Sequence, residues 1–286
     1  MKNRILTFDI EEWFHILDNP STQTENEWIQ FESRIHRNMD RIFDLLERSQ
    51  TRATFFCVGW IAKQYPEVIK AIAGKGFEIG SHSDMHQLVY QQNPKTFSSD
   101  LENSIKTLED LTGKKVTVFR APGFSITEKN KWAFEILARF GITLDCSIFP
   151  ASRAHGGFPS FQKAEPSKIR YNGIELKELP INYINILNRE VIFSGGGYFR
   201  FFPYPFIKKW TENSDYVMTY FHPRDFDPQQ PVIKDLSPLR KFKSYVGLKK
   251  TEKKLEKWLT DFHFTDIATA REKIDWDQVP VVDLNP

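Results

Sequence analysis

The chain has 286 residues, of which 40% are hydrophobic and 27% charged, proportions that are ordinary for a globular protein of one α/β domain or two smaller ones. Its formal net charge of +2 predicts no strong electrostatic preference for nucleic acid or for a membrane surface. The two cysteines, Cys57 and Cys146, lie in apolar, strand-like runs. We expect them to be small buried hydrophobic residues, which argues against a disulfide-stapled secreted scaffold.

The sequence carries no recognisable export or membrane signal. A predicted strand begins within the first five residues, where a signal peptide would place a basic segment and an apolar stretch. No window of about 18 apolar residues, the length that spans a bilayer, occurs in the sequence. We therefore expect a cytoplasmic protein without an integral membrane segment and without a nucleic-acid partner.

Strand-like runs alternate with helical periodicity along most of the chain. Seven strands are predicted, at 4–10, 53–59, 77–83, 116–124, 143–150, 174–181 and 216–223. Helices are predicted between the first five of them, at 31–48, 61–73, 94–111 and 129–140. Repeated strand–helix units favour parallel strands joined by right-handed crossovers. In such folds the active site lies at the carboxyl ends of the strands.

The C-terminal region from residue 236 is predicted to be helical and is rich in lysine. Such a segment can lie on a membrane surface. Alternatively, it packs Leu255, Trp258 and Leu259 against the body of the protein while its lysines face water. We prefer the packed helix because Glu252 and Glu256 interrupt the positive charge.

Two carboxylates and two histidines form the most informative pattern in the sequence. Asp9 lies at the end of the first predicted strand with Glu11 just after it, and His82 lies at the end of the third with His86 just beyond it. In a helical turn, residues four apart point the same way, so the two histidines can converge. One carboxylate, two imidazoles and a spare carboxylate suit a hydrolytic metal site with a separate base. The alternatives are unrelated histidines and carboxylates that only cap a helix.

Three further motifs place polar groups at strand ends: FRAPGF at 119–124, LDCSIFP at 144–150 and VMTYFHPRDFDP at 217–228. In this order the motifs resemble those of the NodB-homology polysaccharide deacetylases, carbohydrate esterase family 4. The opening Asp-Ile-Glu-Glu resembles the Asp-x-Glu branch associated with exopolysaccharide and surface-glycan loci. The resemblance implies a distorted (β/α)7 barrel with incomplete closure. It also implies a single domain over residues 1–286, with a helical C-terminal extension over 232–286 packed on it.

The resemblance also implies a metal centre and its base. Asp9 matches the catalytic base, and Glu11, His82 and His86 match the ligands of one divalent ion. Glu12 is the competing carboxylate, and we prefer Glu11. Zinc is the expected metal, while cobalt, iron or nickel would also fit two imidazoles and one carboxylate.

The remaining catalytic groups are implied in the same way. His222 matches the general acid that protonates the leaving group. Arg120 and Asp145 match the pair that positions and tunes the base and the acid. The backbone N–H of Gly123, three residues after Arg120, matches the donor to the oxyanion.

The expected activity is metal-dependent removal of an acetyl group from an N-acetylated amino sugar in a surface polysaccharide or its precursor. The alternatives are an O-acetyl esterase, a deformylase or a catalytically inactive glycan-binding protein. Candidate sugar contacts are Tyr198, Arg200, Trp13 and Phe14, with a rim loop at 152–158 that carries Arg153 and His155.

Overall fold

The computed structural model describes residues 2–17, 19–151, 156–187, 189–233 and 235–285. All seven predicted strands are present. The structure also has strands that the sequence did not predict, and all of its strands are short. They are β1 (Asn3–Ile5), β2 (Thr7–Ile10), β3 (Thr54–Cys57), β4 (Glu78–Ser81), β5 (Val118–Phe119), β6 (Leu144–Asp145), β7 (Ser167–Tyr171), β8 (Ile174–Glu178), β9 (Ile184–Ile186), β10 (Arg189–Val191), β11 (Tyr216–Met218) and β12 (Val281–Asp283).

The principal sheet has the order β12-β7-β8-β6-β5-β4-β3-β2, and every pair is parallel except β7–β8. β1 runs directly into β2 and pairs in parallel with β11, and a bridge between Phe8 and Phe221 continues that contact. Seven parallel strands, counting β1 and β2 as one, therefore curve around a common interior. No ladder within the described ranges joins β8 to β11, so the barrel is incompletely closed. The predicted (β/α)7 architecture is confirmed.

Helices follow the strands and cover the outside of the barrel. They are α1 (Glu25–Trp28), α2 (Ile35–Ser49), α3 (Gly59–Gln64), α4 (Pro66–Gly74), α5 (Pro94–Thr112), α6 (Trp132–Arg139), α7 (Gly196–Phe201), α8 (Tyr204–Asn213), α9 (Pro238–Tyr245), α10 (Leu248–Asp261) and α11 (Ile267–Lys273). The single helix predicted over 61–73 is divided into α3 and α4 because Pro66 has no N–H to continue a helix and instead begins a new one.

Local chemistry explains where the long helices begin and end. The Asn93 side chain accepts the N–H groups of Lys95 and Thr96 at the start of α5, and Gly113 ends that helix with a φ of 66°. α2 buries the apolar stripe that the sequence predicts, including Ile35, Met39, Ile42, Leu45 and Leu46. Cys57 and Cys146 are buried free thiols, as expected.

The C-terminal tail differs from the predicted continuous helix. Gly247, with a φ of 74°, separates α9 from α10. α10 buries Leu255, Trp258 and Leu259, which is the packing that the sequence favours, whereas α9 buries no residue. The tail also contributes β12, an edge strand that the sequence analysis did not predict. The domain boundaries stay a prediction. No helix in the described part of the chain is long and apolar enough to cross a bilayer.

Candidate active site

The predicted site residues lie at the carboxyl ends of adjacent parallel strands. Asp9 belongs to β2, and Glu11 is the first residue after it. His82 directly follows β4, and Arg120 directly follows β5. Because β2, β3, β4 and β5 are consecutive parallel neighbours, their carboxyl ends share one rim of the barrel.

Glu11, His82 and His86 form a group that could hold a metal ion. One ligand atom from each lies within 4.8 Å of the others, and all three residues are buried. Nε2 of His86 is 2.5 Å from Oε2 of Glu11. Nδ1 of His82 is 2.7 Å from the carbonyl oxygen of Arg120. As the donor in that bond, Nδ1 leaves the lone pair of Nε2 free for an ion, an arrangement typical of metal-binding histidines.

The two histidines converge through a strained loop and not through the helical turn that the sequence predicted. Ser83 and His86 both have left-handed backbones, with φ of 66° and 51°. Asp100 pins the loop by accepting the N–H groups of Asp84 and Met85, each at 2.9 Å. Strain held at His86 by surrounding contacts indicates that the position of this side chain matters for function.

Burial and charge keep His82 and Glu11 in the states that suit a metal. Burial lowers the pKa of His82 to about 4, so the imidazole is neutral near pH 7. Burial raises the pKa of Glu11, but the charges of His86 and His222 and the hydrogen bond from His86 outweigh it and hold the pKa well below its usual range. A neutral imidazole and an ionised carboxylate are the forms that bind cations.

Glu12 faces away from this group and stabilises the start of α2. Its Oε1 accepts the Ser33 hydroxyl at 2.6 Å and the backbone N–H groups of Arg34 and Ile35 at 2.7 and 2.9 Å. These N–H groups are the unpaired donors of a helix N-terminus. The geometry therefore favours Glu11 as the carboxylate of the metal group.

Asp9 is held by a buried arginine. Nη1 of Arg120 donates to Oδ1 of Asp9 at 2.7 Å and to the Thr7 hydroxyl at the same distance. The guanidinium lies over the ring of Phe56, 4.3 Å from its centre. Arg120 has no exposed surface. The Arg120 contact fixes one carboxylate oxygen of Asp9 and leaves Oδ2 on the side of His222.

His222 lies on the other side of the carboxylates. Its Nε2 is 3.9 Å from Oδ2 of Asp9 and 3.8 Å from Oε1 of Glu11, while its Nδ1 is 3.1 Å from Oδ2 of Asp225. Burial disfavours the imidazolium, but Glu11, Asp225 and Asp9 together raise the pKa of His222 to about 9. Asp225 is itself paired with Arg200 at 3.1 Å. In the metal-free protein His222 is therefore protonated at neutral pH, and its Nε2 faces the carboxylates of Asp9 and Glu11.

The carboxylate of Asp145, which the resemblance pairs with Arg120, contacts a carboxyl group of a neighbouring strand. Asp145 is a register partner of Glu178 in the parallel pair β6–β8, and its carboxylate accepts the Ser147 hydroxyl at 2.6 Å. Burial raises the pKa of Asp145 to about 6 and that of Glu178 well above its ordinary value. Each carboxyl has one buried oxygen without a donor among the described residues, which a proton shared between them would satisfy. The role expected for Asp145 stays a prediction, and the carboxylate within hydrogen-bond distance of Nδ1 of His222 is that of Asp225.

Gly123 occupies a turn in which only glycine fits comfortably. Its φ is 62°, and a Cβ atom there would lie 2.8 Å from Cδ1 of Leu17 and 3.0 Å from Cδ2 of Leu88. The turn directly follows the Arg120 segment at the rim of the barrel. Donation from its N–H to an oxyanion stays a prediction.

The candidate sugar contacts divide into three groups. Trp13 and Phe14 are 3% and 1% exposed and pack in an aromatic cluster, so they support the site without lining an open surface. Arg200 is buried, and its guanidinium is paired with Asp225 and with backbone carbonyl groups of α9. These contacts make it unavailable to bind a substrate carboxylate. Tyr198 is exposed. Arg153 and His155 lie outside the described residues.

Sequence reasoning missed two residues of the site. Asp225 stands three residues after His222, a spacing typical of side chains that meet across one turn. His15 closes the motif ILTFDIEEWFH, and its ring stacks on that of His86 with centroids 5.5 Å apart. Nδ1 of His15 accepts the N–H of Glu12 at 3.4 Å, whereas its buried Nε2 has no hydrogen-bond partner among the described residues. Burial lowers the pKa of His15 well below its usual value, so the ring is neutral and Nε2 carries the proton.

Comparison with known proteins agrees with this geometry. Residues 19–144 match the family model described as polysaccharide deacetylase. A peptidoglycan-N-acetylglucosamine deacetylase of Bacillus cereus is 31% identical over 96 residues, which make up 33% of this chain and 35% of the relative. These matches support the NodB-type polysaccharide deacetylase family. A peptidoglycan deacetylase of Helicobacter pylori is 28% identical over 108 residues, or 38% of this chain and 36% of that protein. The chain thus spans about a third of the length of these deacetylases.

The second half of the chain, residues 146–272, matches a model described as a domain of unknown function, DUF3473. The boundary between the two matches falls at β6, in the middle of one continuous sheet. His82, His86 and Arg120 lie in the deacetylase match, while His222 lies in the second match and Asp9 precedes both. The site therefore needs both halves of the chain.

Solved structures show the same fold at low sequence identity. A candidate polysaccharide deacetylase of Mycobacterium smegmatis superposes with a TM-score of 0.66 and 17% identity, covering 99% of this chain and 93% of that one. A Bacillus anthracis protein described as a pseudoenzyme of carbohydrate esterase family 4 has a TM-score of 0.52 and 12% identity, covering 94% and 65%. These likenesses establish the deacetylase fold. Because they show the fold alone, the activity has to be inferred from the site residues.

Proposed function

We propose that the protein is a metal-dependent hydrolase that removes the acetyl group from an N-acetylated amino sugar in a surface polysaccharide or its precursor. The observation that carries the proposal is the convergence of Glu11, His82 and His86 on one point, with Asp9 and His222 beside it. The neighbouring Asp9 and Glu11, separated by one residue, also support the Asp-x-Glu branch. The peptidoglycan deacetylases among the relatives support an acetylated amino-sugar polymer as the substrate class.

Glu11, His82 and His86 would hold the metal, and the donor set fits one divalent ion, with zinc expected. When bound, such an ion polarises a carbonyl and makes a water molecule more acidic. Two imidazoles and one carboxylate leave room for oxygen ligands from solvent or substrate.

Proton movement is assigned to Asp9 and His222. Oδ1 of Asp9 is occupied by Arg120, so Oδ2 is the oxygen that accepts the proton of the attacking water. When the bond between the acetyl carbon and the sugar nitrogen breaks, the nitrogen must gain a proton. His222 is the group placed to supply it from Nε2, which faces Asp9 and Glu11. Asp225 holds the other ring nitrogen and fixes the ring orientation. The N–H of Gly123 is proposed to stabilise the oxyanion.

The proposal is tested by acetate release from N-acetylglucosamine oligomers and peptidoglycan fragments, with mass spectrometry of the products. Purified, metal-loaded protein should release acetate and leave a free amine. Asp9→Asn should lower release by about 100-fold or more while it keeps its metal. Glu12→Gln is the matched control because Glu12 stabilises the start of α2. Equal turnover in Asp9→Asn and in the unmodified protein would contradict the assignment. A matched O-acetylated sugar tests the esterase alternative in the same assay.

A further inference from the structure

A row of exposed aromatic and aliphatic side chains runs across α7, α8 and α9. The five members, here called the aromatic patch, are between 47% and 65% exposed: Tyr198, Phe201, Phe206, Leu239 and Phe242. Ring contacts connect three of the members, Phe201, Phe206 and Phe242, while Tyr198 and Leu239 each stand three residues before one of them on the same helix. Phe201 lies 6.1 Å from Phe242, and both Phe201 and Phe206 reach Trp210, directly or through Phe202. Contiguous exposed apolar surface of this kind marks an interaction site.

α9 turns its apolar side away from the protein. It buries no residue, although Leu239 and Phe242 stand three apart and share one face of the helix. The remaining positions include Arg240, Lys241 and Lys243 and no acidic residue. A short helix with apolar residues on one face and basic residues around them matches the composition of helices that lie in a membrane interface. This local excess of positive charge is not apparent from the net charge of +2 for the whole chain.

Buried contacts fix α9 in this orientation. Arg200 donates to the carbonyl oxygens of Ser244 and Lys243 at 2.7 and 3.0 Å. The same guanidinium pairs with Asp225, which binds His222. At the other end of the helix, Arg240 donates to the carbonyl oxygen of Leu17. The patch is therefore a rigid surface beside the candidate active site.

We propose that the aromatic patch docks on the surface of an anionic phospholipid bilayer. Leu239, Phe242 and Phe201 enter the boundary between headgroups and acyl chains, and Lys241 and Lys243 face lipid phosphates. A second copy of the chain is the less favourable occupant because a two-fold contact would bring the same basic residues together. An anionic surface instead attracts them. This inference is independent of the reaction that the site catalyses.

The test is co-sedimentation of the full chain with vesicles of phosphatidylcholine alone or mixed equally with phosphatidylglycerol. We expect binding to the anionic vesicles that weakens as salt is added. The double variant with Lys241→Gln and Lys243→Gln should bind the anionic vesicles roughly 25-fold more weakly, at about fivefold for each lysine. Leu239→Ser with Phe242→Ser should weaken it at least about tenfold. The control is Val281→Ser, which removes an apolar side chain that is 45% exposed on β12, and it should bind normally.

Thermal melting is the check that each variant is folded. We expect every variant to fold because the altered side chains are exposed. Failure of the unmodified protein to bind anionic vesicles at low salt would overturn the proposal. Equal binding by the Leu239/Phe242 variant and the unmodified protein would also overturn it. A concentration-dependent dimer that this variant abolishes, without vesicle binding, would assign the patch to a second copy instead. Loss of vesicle binding in the variants with full acetate release would support docking as a separate property.

Discussion

Replacing Asp225 by Asn tests how the fold controls the proposed acid. The carboxylate of Asp225 lies 3.1 Å from Nδ1 of His222 and contributes both a hydrogen bond and a charge. The variant keeps the shape of the side chain and removes the charge. An opposite charge at this distance raises the pKa of an imidazole by about one to three pH units. We expect the pKa of His222 to fall from about 9 by about one to two pH units.

The same change has a predictable effect on stability. Because the pKa of His222 is raised in the folded state, its contribution is fully present below the unfolded pKa of 6.5 and is lost as the pH rises through about 9. At about 1.4 kcal/mol per pH unit, the upper limit of this contribution is about 3 kcal/mol. Asp225→Asn should therefore destabilise the metal-free protein more at pH 6 than at pH 10.

The measurement is an NMR titration of the histidine ring protons in the metal-free protein, with His222→Gln used to assign the signal. Urea unfolding at several pH values supplies the free energies. Asp227→Asn is the matched control, because it removes a carboxylate from the same loop that pairs with Arg34 and not with His222. An unchanged His222 titration in Asp225→Asn would refute the reasoning.

Four further substitutions probe other parts of the site. Asp9→Asn should lower turnover by about 100-fold or more without loss of metal, measured by acetate release and elemental analysis. Glu12→Gln should lower the melting temperature by weakening the α2 cap while metal binding persists. Glu178→Gln should raise stability at pH 8 more than at pH 5, measured by urea unfolding, because its pKa is raised and protonation is needed in the fold. His15→Ala should weaken metal binding, measured by calorimetry, by removing the ring stacked on His86.

Local patterns predicted the strands, and their alternation with helices predicted parallel strands whose carboxyl ends bring Asp9, His82 and Arg120 to one rim. The seven-unit barrel and the assignment of the metal ligands came from the family resemblance of the motifs. The path from His82 to His86 could not be predicted, since it depends on left-handed residues held by Asp100 from α5. Convergence of the two histidines is a tertiary effect.

The carboxylate that meets His222 could not be predicted for a similar reason. Asp145 ends β6 and Asp225 lies three residues after His222, and nothing in the sequence alone says which one turns toward the imidazole. The barrel places Asp145 against Glu178 in an adjacent strand, and Asp225 returns to His222 within one turn.

The packing of the C-terminal tail also could not be predicted from local patterns. Its composition predicts amphipathic helices, but only the packing reveals that α10 covers its apolar side and α9 does not.

Metal stoichiometry is the most direct test of the central claim that Glu11, His82 and His86 form a metal centre. Elemental analysis after dialysis against zinc should give one ion per chain for the unmodified protein and for Glu12→Gln. His82→Ala should lose that ion, because Nε2 of His82 is one of three converging ligands. Full occupancy in His82→Ala would contradict the account.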